Sequence, residues 1–195
     1  MNNYCIDLNL NIPFFNDEKY VYQLKIDNKR HQRIDHANIN PEIFEFFKSK
    51  NLKIGLAESF FRRPGDPFNP EIHKDAINFT DASKINWVYD SGDSVMEWYK
   101  PINNNIKTNK TAIGVSYEYY DIADLELVHT QHVGFPSLVQ VGLPHNIANI
   151  TSDRLCISVL FIDIETSSYI PFEKAKMIFQ NELVSRTGVE PVSTT

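Results

Sequence analysis

Apolar and polar residues alternate along several short stretches of this chain, a period of two that is typical of β-strands with one buried face. The alternation predicts strands at residues 4–10 and 20–26. The strongest predicted strand is 155–164, where β-branched and aromatic residues dominate. Turn residues separate further strand-like stretches, which lie at 54–61, 77–79, 85–89, 95–99 and 125–129.

Apolar residues at helical spacing predict a helix that begins at 40–42. Its start has asparagine as a capping residue, then proline in the first turn, then an acid. Ile43, Phe46 and Phe47 form its apolar stripe. We expect this helix to end near Asn51.

The same spacing predicts a second helix at 171–183, with Phe172, Ala175 and Phe179 on its apolar side. Residues 27–40 are rich in charged and polar side chains and lack either period. We interpret them as a solvated loop, with a substrate-binding patch as the alternative.

Short strands separated by turns at this spacing predict a mainly β fold, either a sandwich or a barrel. No internal repeat and no Gly/Ser linker divides the chain, so 1–195 is interpreted as a single domain. Within it we expect N-terminal strands and a helix at 1–53, a β core at 54–164, and a C-terminal helix and tail at 165–195.

The composition of the chain indicates which classes of partner and which cellular compartment to expect. The chain has 195 residues and a net charge of −6, which argues against a general nucleic-acid-binding surface. No apolar run approaches the roughly 20 residues that cross a bilayer, and the N-terminus lacks the pattern of a secretory signal. Cys5 and Cys156 are too few for a disulfide framework. We therefore predict a cytoplasmic protein without a membrane partner.

The candidate chemistry lies in two separate runs of the chain. Side chains two residues apart on a strand share one face, so His73 and Asp75 can meet one metal ion while Lys74 points away. A third ligand must come from a distant strand, and His145 fits because it begins a predicted strand. Arg154 follows nine residues later (154 − 145). Two imidazoles and one carboxylate hold non-haem Fe(II) on one face and leave the other face open.

These residues resemble the motifs of the iron(II)/2-oxoglutarate-dependent oxygenases, most closely the prolyl and aspartyl/asparaginyl hydroxylase-like branch. The resemblance extends over about 54–164 and includes a proline–histidine pair, a turn, and an arginine that opens a strand. It implies a double-stranded β-helix (jelly-roll, cupin-like) core with a few flanking helices. The segments that carry it are 72–75, 76–79, 85–89, 136–139 and 144–149, together with Arg154.

The resemblance also implies residue roles. His73, Asp75 and His145 would bind Fe(II) as the catalytic triad, and Arg154 would bind the distal carboxylate of the cosubstrate 2-oxoglutarate. A guanidinium suits this role because its planar fork matches a carboxylate and stays charged at any working pH. The alternative for the arginine is a surface ion pair. Ser158 would share the arginine's face and assist it.

One position departs from the family pattern. Some relatives place a serine two residues after the arginine, where this chain has Cys156. We interpret that cysteine as a packing residue.

Other candidates have weaker support. Asn78 is predicted to hydrogen-bond a cosubstrate carboxylate, with an ordinary turn residue as the alternative. Tyr89 is predicted to bind a carboxylate through its hydroxyl while Trp87 lines the cavity, with an aromatic core as the equal alternative. His129 and His132 form a rival metal pair that we rank below His145.

Two further arginines, Arg62 and Arg63, lie beside a predicted loop. We expect them to be solvated, with contact to a substrate at the barrel mouth as the alternative.

The reaction implied by the resemblance is oxidative decarboxylation of 2-oxoglutarate to succinate and carbon dioxide, coupled to hydroxylation of a small-molecule or peptide substrate by dioxygen. Halogenating relatives replace the carboxylate ligand with a small residue, so Asp75 favours hydroxylation. A cupin-like metalloenzyme without 2-oxoglutarate is one alternative, against which Arg154 argues. A non-catalytic jelly-roll binding module is another, against which the complete triad argues. Neither the substrate nor the oligomeric state follows from the sequence.

The position of Arg154 also predicts which way the other side chains of its strand point. If Arg154 points into the barrel, alternation turns the apolar residues of the same strand outward, where helices must cover them. Burial of each such side chain contributes about 1.5–3 kcal/mol. The residues concerned are Leu155, Ile157, Val159 and Phe161.

Overall fold

The computed structural model describes residues 4–66, 71–75, 81–111, 114, 116–134 and 136–184. These residues form a mainly β structure with two six-stranded antiparallel sheets. The first sheet has the strand order β1-β10-β5-β12-β3-β2, with β1 Cys5–Asp7, β2 His31–Arg33, β3 Leu52–Arg62, β5 Ser83–Tyr89, β10 Ser137–Gln140 and β12 Arg154–Asp163. The second has the order β7-β8-β4-β11-β6-β9, with β4 Ile72–Lys74, β6 Val95–Pro101, β7 Lys107–Lys110, β8 Ser116–Tyr120, β9 Leu125–His132 and β11 His145–Ala148.

Three helices accompany the sheets, namely α1 Lys19–Asp27, α2 Pro41–Ser49 and α3 Phe172–Ile178. The start of α2 is as predicted, because the side chain of Asn40 accepts a hydrogen bond from the backbone N–H of Glu42. Helix α3 is shorter than predicted. The predicted strand at 77–79 lies outside the described residues.

The prediction of a strand at residues 20–26 is wrong, since α1 occupies this stretch. Tyr20, Val21 and Leu24 pack against the core, and their spacing places them on one side of a helix. Tyr22 and Ile26, which completed the apparent alternation, are exposed instead. Over only seven residues, one apolar pattern can fit both the strand period of two and the helix period of about 3.6 residues. Packing of one side against the core then decides in favour of the helix.

Residues 27–40 are only in part the predicted loop. They include strand β2, which pairs with β3 at the edge of the first sheet. They also include a short 3₁₀ turn at His36–Asn38.

The main hydrophobic core lies between the first sheet and the helices. Leu155, Ile157, Val159 and Phe161 are all buried there, so the prediction that they face the helices is confirmed. Phe47 of α2 and Phe179, which directly follows α3, pack against Phe161 near the end of β12, with ring centroids 5.9 Å apart for Phe47–Phe161 and 5.4 Å apart for Phe161–Phe179.

The opposite face of the first sheet turns toward the second sheet and carries a different set of residues. A small apolar cluster fills one part of the space between the sheets; its members are Cys5, Ala82, Met96, Trp98, Val133, Val139 and Val141. The indole N–H of Trp98 donates to the carbonyl of Gln140 at 2.7 Å and so links β6 to β10. The rest of this face bears buried polar side chains, among them Glu58, Lys84, Asn86, Arg154 and Ser158.

None of the described helices combines the length and apolar character that crossing a lipid bilayer requires.

Candidate metal centre

Adjacent strands of the second sheet bring together the three residues that are predicted from the sequence to be metal ligands. His145 on β11 lies directly opposite His73 on β4 in the antiparallel register. Asp75 follows β4, and its backbone N–H donates to the carbonyl of Val141 at 3.2 Å. The intervening Lys74 points to the other face, where it pairs with Glu118 at 2.7 Å. The i, i+2 spacing therefore places one imidazole and one carboxylate beside the second imidazole.

The ligand atoms of His73, Asp75 and His145 all lie within 4.8 Å of one another. Asp75 Oδ1 is 3.2 Å from His73 Nε2 and 3.7 Å from His145 Nε2. First-row divalent metals bind such donors at about 2.0–2.2 Å, which sets neighbouring donors roughly 3 Å apart. The three atoms are thus close to the separation that one shared ion imposes.

Backbone carbonyls orient both imidazoles in the same way. His73 Nδ1 lies 2.7 Å from the carbonyl oxygen of Glu71, and His145 Nδ1 lies 2.8 Å from that of Leu143. A carbonyl only accepts, so each Nδ1 carries the proton and donates it. Each Nε2 is then directed at the point shared with Asp75, which is how metal-binding histidines are held in proteins.

A buried lysine holds the second oxygen of the aspartate. Lys84 Nζ lies 2.7 Å from Asp75 Oδ2 and 3.4 Å from Glu58 Oε2. Lys84 belongs to β5 and Glu58 to β3, both in the first sheet, so the contact of Lys84 with Asp75, which follows β4, joins the two sheets. Neither Lys84 nor Glu58 belongs to a recognisable motif. The sequence feature that could have identified both residues is that each is charged and lies within or directly beside a predicted strand of mainly apolar residues.

Burial and nearby charges both shift the pKa values of the three residues, and for Asp75 and His73 they act in opposite directions. Burial raises the pKa of Asp75, but the Lys84 ammonium and the hydrogen bond with His73 outweigh it, so that pKa lies well below its ordinary value. Burial lowers the pKa of His73, yet the hydrogen bond and charge of Asp75 raise it above its ordinary value overall. For His145 burial dominates, aided by the charge of His73, and its pKa falls to about 4. Near neutral pH the cluster therefore has an ionised aspartate and a neutral His145.

Arg154 lies at the other end of the polar space between the sheets. The residue is 3% exposed, and its Nε donates to the hydroxyl of Ser94 at 3.1 Å. Ser94 is four residues from Trp98, the strand partner of His145. At about 3.3 Å per residue, this separates Ser94 from the histidine by roughly 13 Å along the strand. In the part of the chain that the structure describes, no carboxylate pairs with the guanidinium.

Two smaller polar residues lie between the arginine and the triad. Ser158 is on the same face of β12 as Arg154 and is paired in register with both Asn86 and Glu58. The side-chain oxygen of Asn86 is buried and has no hydrogen-bond partner among the residues that the structure describes. Cys156 also lies on this face, and burial raises the pKa of its thiol.

The structure places Tyr89 and Trp87 on the core side of the first sheet. Tyr89 is the strand partner of Leu155, and the ring of Trp87 packs 5.0 Å from that of Phe14. Burial raises the pKa of Tyr89 to about 12. This position corrects the expectation that the two aromatic residues line the cavity, because alternate residues of a strand face opposite ways. The other suggested cosubstrate ligand, Asn78, lies outside the described residues.

The rival histidines are not brought together. His129 and His132 are three apart on β9, which places them on opposite faces of a strand. The ring of His129 stacks on Tyr4 at 4.8 Å, while His132 contacts the carbonyl of Gly92 at 3.0 Å.

Of the two further arginines, Arg62 is the strand partner of Arg154. Burial lowers the pKa of its guanidinium, as does the positive charge of Arg154. Arg63 lies over the ring of Phe61, 5.6 Å from its centroid.

Comparison of the chain with protein-family models, with curated proteins and with solved structures finds no match in any of the three. The function is therefore inferred from the geometry of the site.

Proposed function

We propose that this protein is an iron(II)- and 2-oxoglutarate-dependent oxygenase with a double-stranded β-helix core. It would couple decarboxylation of 2-oxoglutarate to succinate with hydroxylation of a small-molecule or peptide substrate. The observation that carries the proposal is the convergence of His73, Asp75 and His145, with both imidazoles oriented by backbone carbonyls. Two nitrogens and one carboxylate oxygen suit Fe(II) and leave positions for other ligands.

The donor set fits Fe(II) in its chemistry as well as in its spacing. Asp75 is ionised and His145 is neutral near neutral pH, while His73, whose pKa is raised, offers its Nε2 to a divalent metal once it has lost one proton. When bound there, iron with 2-oxoglutarate and dioxygen would supply the oxidising power for hydroxylation. The role of the chain is to hold the metal, orient the cosubstrate and leave room for the substrate.

Arg154 supports the choice of 2-oxoglutarate as cosubstrate. A buried cation without a carboxylate partner is unfavourable, and a bound anion offsets that cost. The distal carboxylate of 2-oxoglutarate would accept two parallel hydrogen bonds from the guanidinium. Ser94 holds the guanidinium through Nε, and Ser158 lies on the same face of β12 to donate a further hydrogen bond.

The placement of the site favours the double-stranded β-helix. In a jelly roll two antiparallel sheets face each other, and here the candidate site lies between two such sheets. The helices cover only the far side of the first sheet. The space beside the triad is left to polar side chains, which suits a polar cosubstrate.

An anaerobic titration tests this proposal. We expect Fe(II) and 2-oxoglutarate together to produce a weak visible charge-transfer band that neither produces alone. Succinate should then form after admission of oxygen. Protein treated with a chelator before the titration is the control. Failure to bind 2-oxoglutarate in the presence of Fe(II) would contradict the proposal, and metal binding alone would favour a cupin-like metalloenzyme.

A further inference from the structure

Lys84 bridges two carboxylates of different sheets at the edge of the triad, and the residue is only 7% exposed. We propose that Lys84 is a positioning residue that fixes the orientation of the metal-binding carboxylate of Asp75. This inference rests on the proposed metal site. It does not depend on which cosubstrate or substrate the site takes.

The lysine is itself held from the other side. Glu58, only 5% exposed, accepts from Lys84 and also contacts His31 Nε2 at 2.9 Å. The His31 ring stacks on Phe60, with centroids 4.6 Å apart and planes 11° from parallel. A continuous series of contacts therefore runs from the edge strand β2 through β3 and β5 to the aspartate. Because both ends are anchored, the ammonium has little freedom to leave Asp75.

The contact distinguishes the two oxygens of the aspartate. Lys84 lies against Oδ2, whereas Oδ1 faces Nε2 of both His73 and His145. A carboxylate without such a partner can turn about its last bond and move Oδ1 away from the shared point. Groups that hydrogen-bond a metal ligand are worth about 10–100-fold in metal affinity.

Charge alone makes the opposite prediction. The Lys84 ammonium would repel a divalent cation, so a variant that only loses this charge should bind metal more tightly. Positioning predicts weaker binding when the lysine is removed. The sign of the change therefore separates the two roles.

The test is a titration of the full-length protein with Co(II), followed by its visible absorption bands. We expect Lys84→Met to bind Co(II) about 10–100-fold more weakly than the wild type. Its bands should also shift, because the carboxylate no longer has one orientation. Lys84→Arg keeps a cation that can reach both carboxylates, and it should restore most of the affinity and the wild-type spectrum.

Lys176→Met is the matched control. Lys176 is buried to a similar degree, at 8% exposure, and pairs with Glu173 at 2.6 Å on α3, away from the triad. Its loss removes a lysine that is buried to the same degree but pairs with an exposed glutamate, and it should leave Co(II) affinity unchanged. If Lys84→Met does not fold, Lys84→Gln serves instead. Its uncharged side chain is one atom shorter and cannot hold both carboxylates, so weakened Co(II) binding is again expected.

Three results would overturn the inference. One is Co(II) binding by the folded lysine variants that equals or exceeds that of the wild type. Another is unchanged Co(II) affinity together with weaker 2-oxoglutarate binding, which would make Lys84 an anion ligand. The third is a wild-type protein that binds no Co(II), which would refute the metal site itself and is recognisable because every variant then behaves alike.

Discussion

The two faces of the first sheet are built from the same strands, yet they carry opposite kinds of side chain. On β12 the residues that face the helices are apolar and buried, as Ile157 and Phe161 illustrate. The residues between them face the second sheet and include Arg154 and Ser158. Most sandwiches place their core between the sheets. Here the main core lies behind one sheet, and the space between the sheets is left partly polar.

The helix side of the sheet contributes to the stability of the fold, whereas the inner face carries the candidate site. Burial of apolar area on the helix side stabilises the fold, at about 25 cal/mol per Å². On the inner face, burial of Lys84, Glu58 and Arg154 is unfavourable unless partners compensate. Among the described residues, the buried side-chain oxygen of Asn86 has no hydrogen-bond partner, and most buried polar groups in proteins do have one.

The largest effect is expected on the inner face. Asp75→Ala removes the only carboxylate of the triad and leaves Lys84 with Glu58 as its one acidic partner, so Fe(II)-dependent succinate formation should be abolished. Succinate would be measured by chromatography. Asp121→Ala is the control, because Asp121 is an acid that pairs with Lys107 at 2.7 Å, away from the site. Residual iron-dependent turnover in the triad variant would contradict the assignment.

On the helix side a large change in stability should leave the site intact. Phe161→Ala removes a fully buried ring, and we expect it to lower the free energy of unfolding by about 3–5 kcal/mol. Urea denaturation followed by fluorescence measures this quantity. The folded variant should keep wild-type Co(II) affinity. Tyr22→Ala, at a ring that is 68% exposed, should change stability little.

Arg154→Ala should separate the two faces most clearly, because stability and binding should respond in different directions. Loss of charge-assisted hydrogen bonds should weaken 2-oxoglutarate binding by about 1.5–3 kcal/mol, measured by anaerobic calorimetry on the Co(II) protein. No carboxylate of the described residues pairs with this buried cation, so its removal should leave the melting temperature unchanged or raise it. Arg63→Ala is the control. Unchanged cosubstrate affinity would refute this role.

Metal binding should depend on pH through one histidine. His73 has a raised pKa and must lose its Nε2 proton before it binds a metal, whereas the pKa of His145 is about 4 and does not interfere. Below the pKa of His73, Co(II) affinity should fall about tenfold per pH unit, because one proton competes. Titrations between pH 8 and pH 5 measure the slope. A flat profile across that range would show that His73 is not a ligand.

The smallest effect is expected at Tyr89. Its hydroxyl bonds the backbone of Phe14 on the core side of the sheet. Tyr89→Phe should therefore cost about 1 kcal/mol of stability or less. Calorimetry should find 2-oxoglutarate affinity equal to that of the wild type. A loss of 2-oxoglutarate affinity would indicate that this tyrosine is a cosubstrate ligand.

Local patterns predict much of the β structure and part of the candidate site. Alternation locates β3, β5, β6 and β12, and the capping residue Asn40 locates the start of α2. The same patterns fail at α1. There the apolar residues fit both periods, and contact with the core decides between them.

By itself, the sequence determined which residues share a face. The i, i+2 spacing of His73 and Asp75 and the alternation along β12 are local properties of an extended chain. Only the tertiary structure decided which faces meet. It set His145 opposite His73 and Lys84 against Asp75, and it turned Tyr89 toward the core. The physical reason is that register and sheet packing depend on contacts between residues distant in the chain, which no local pattern records.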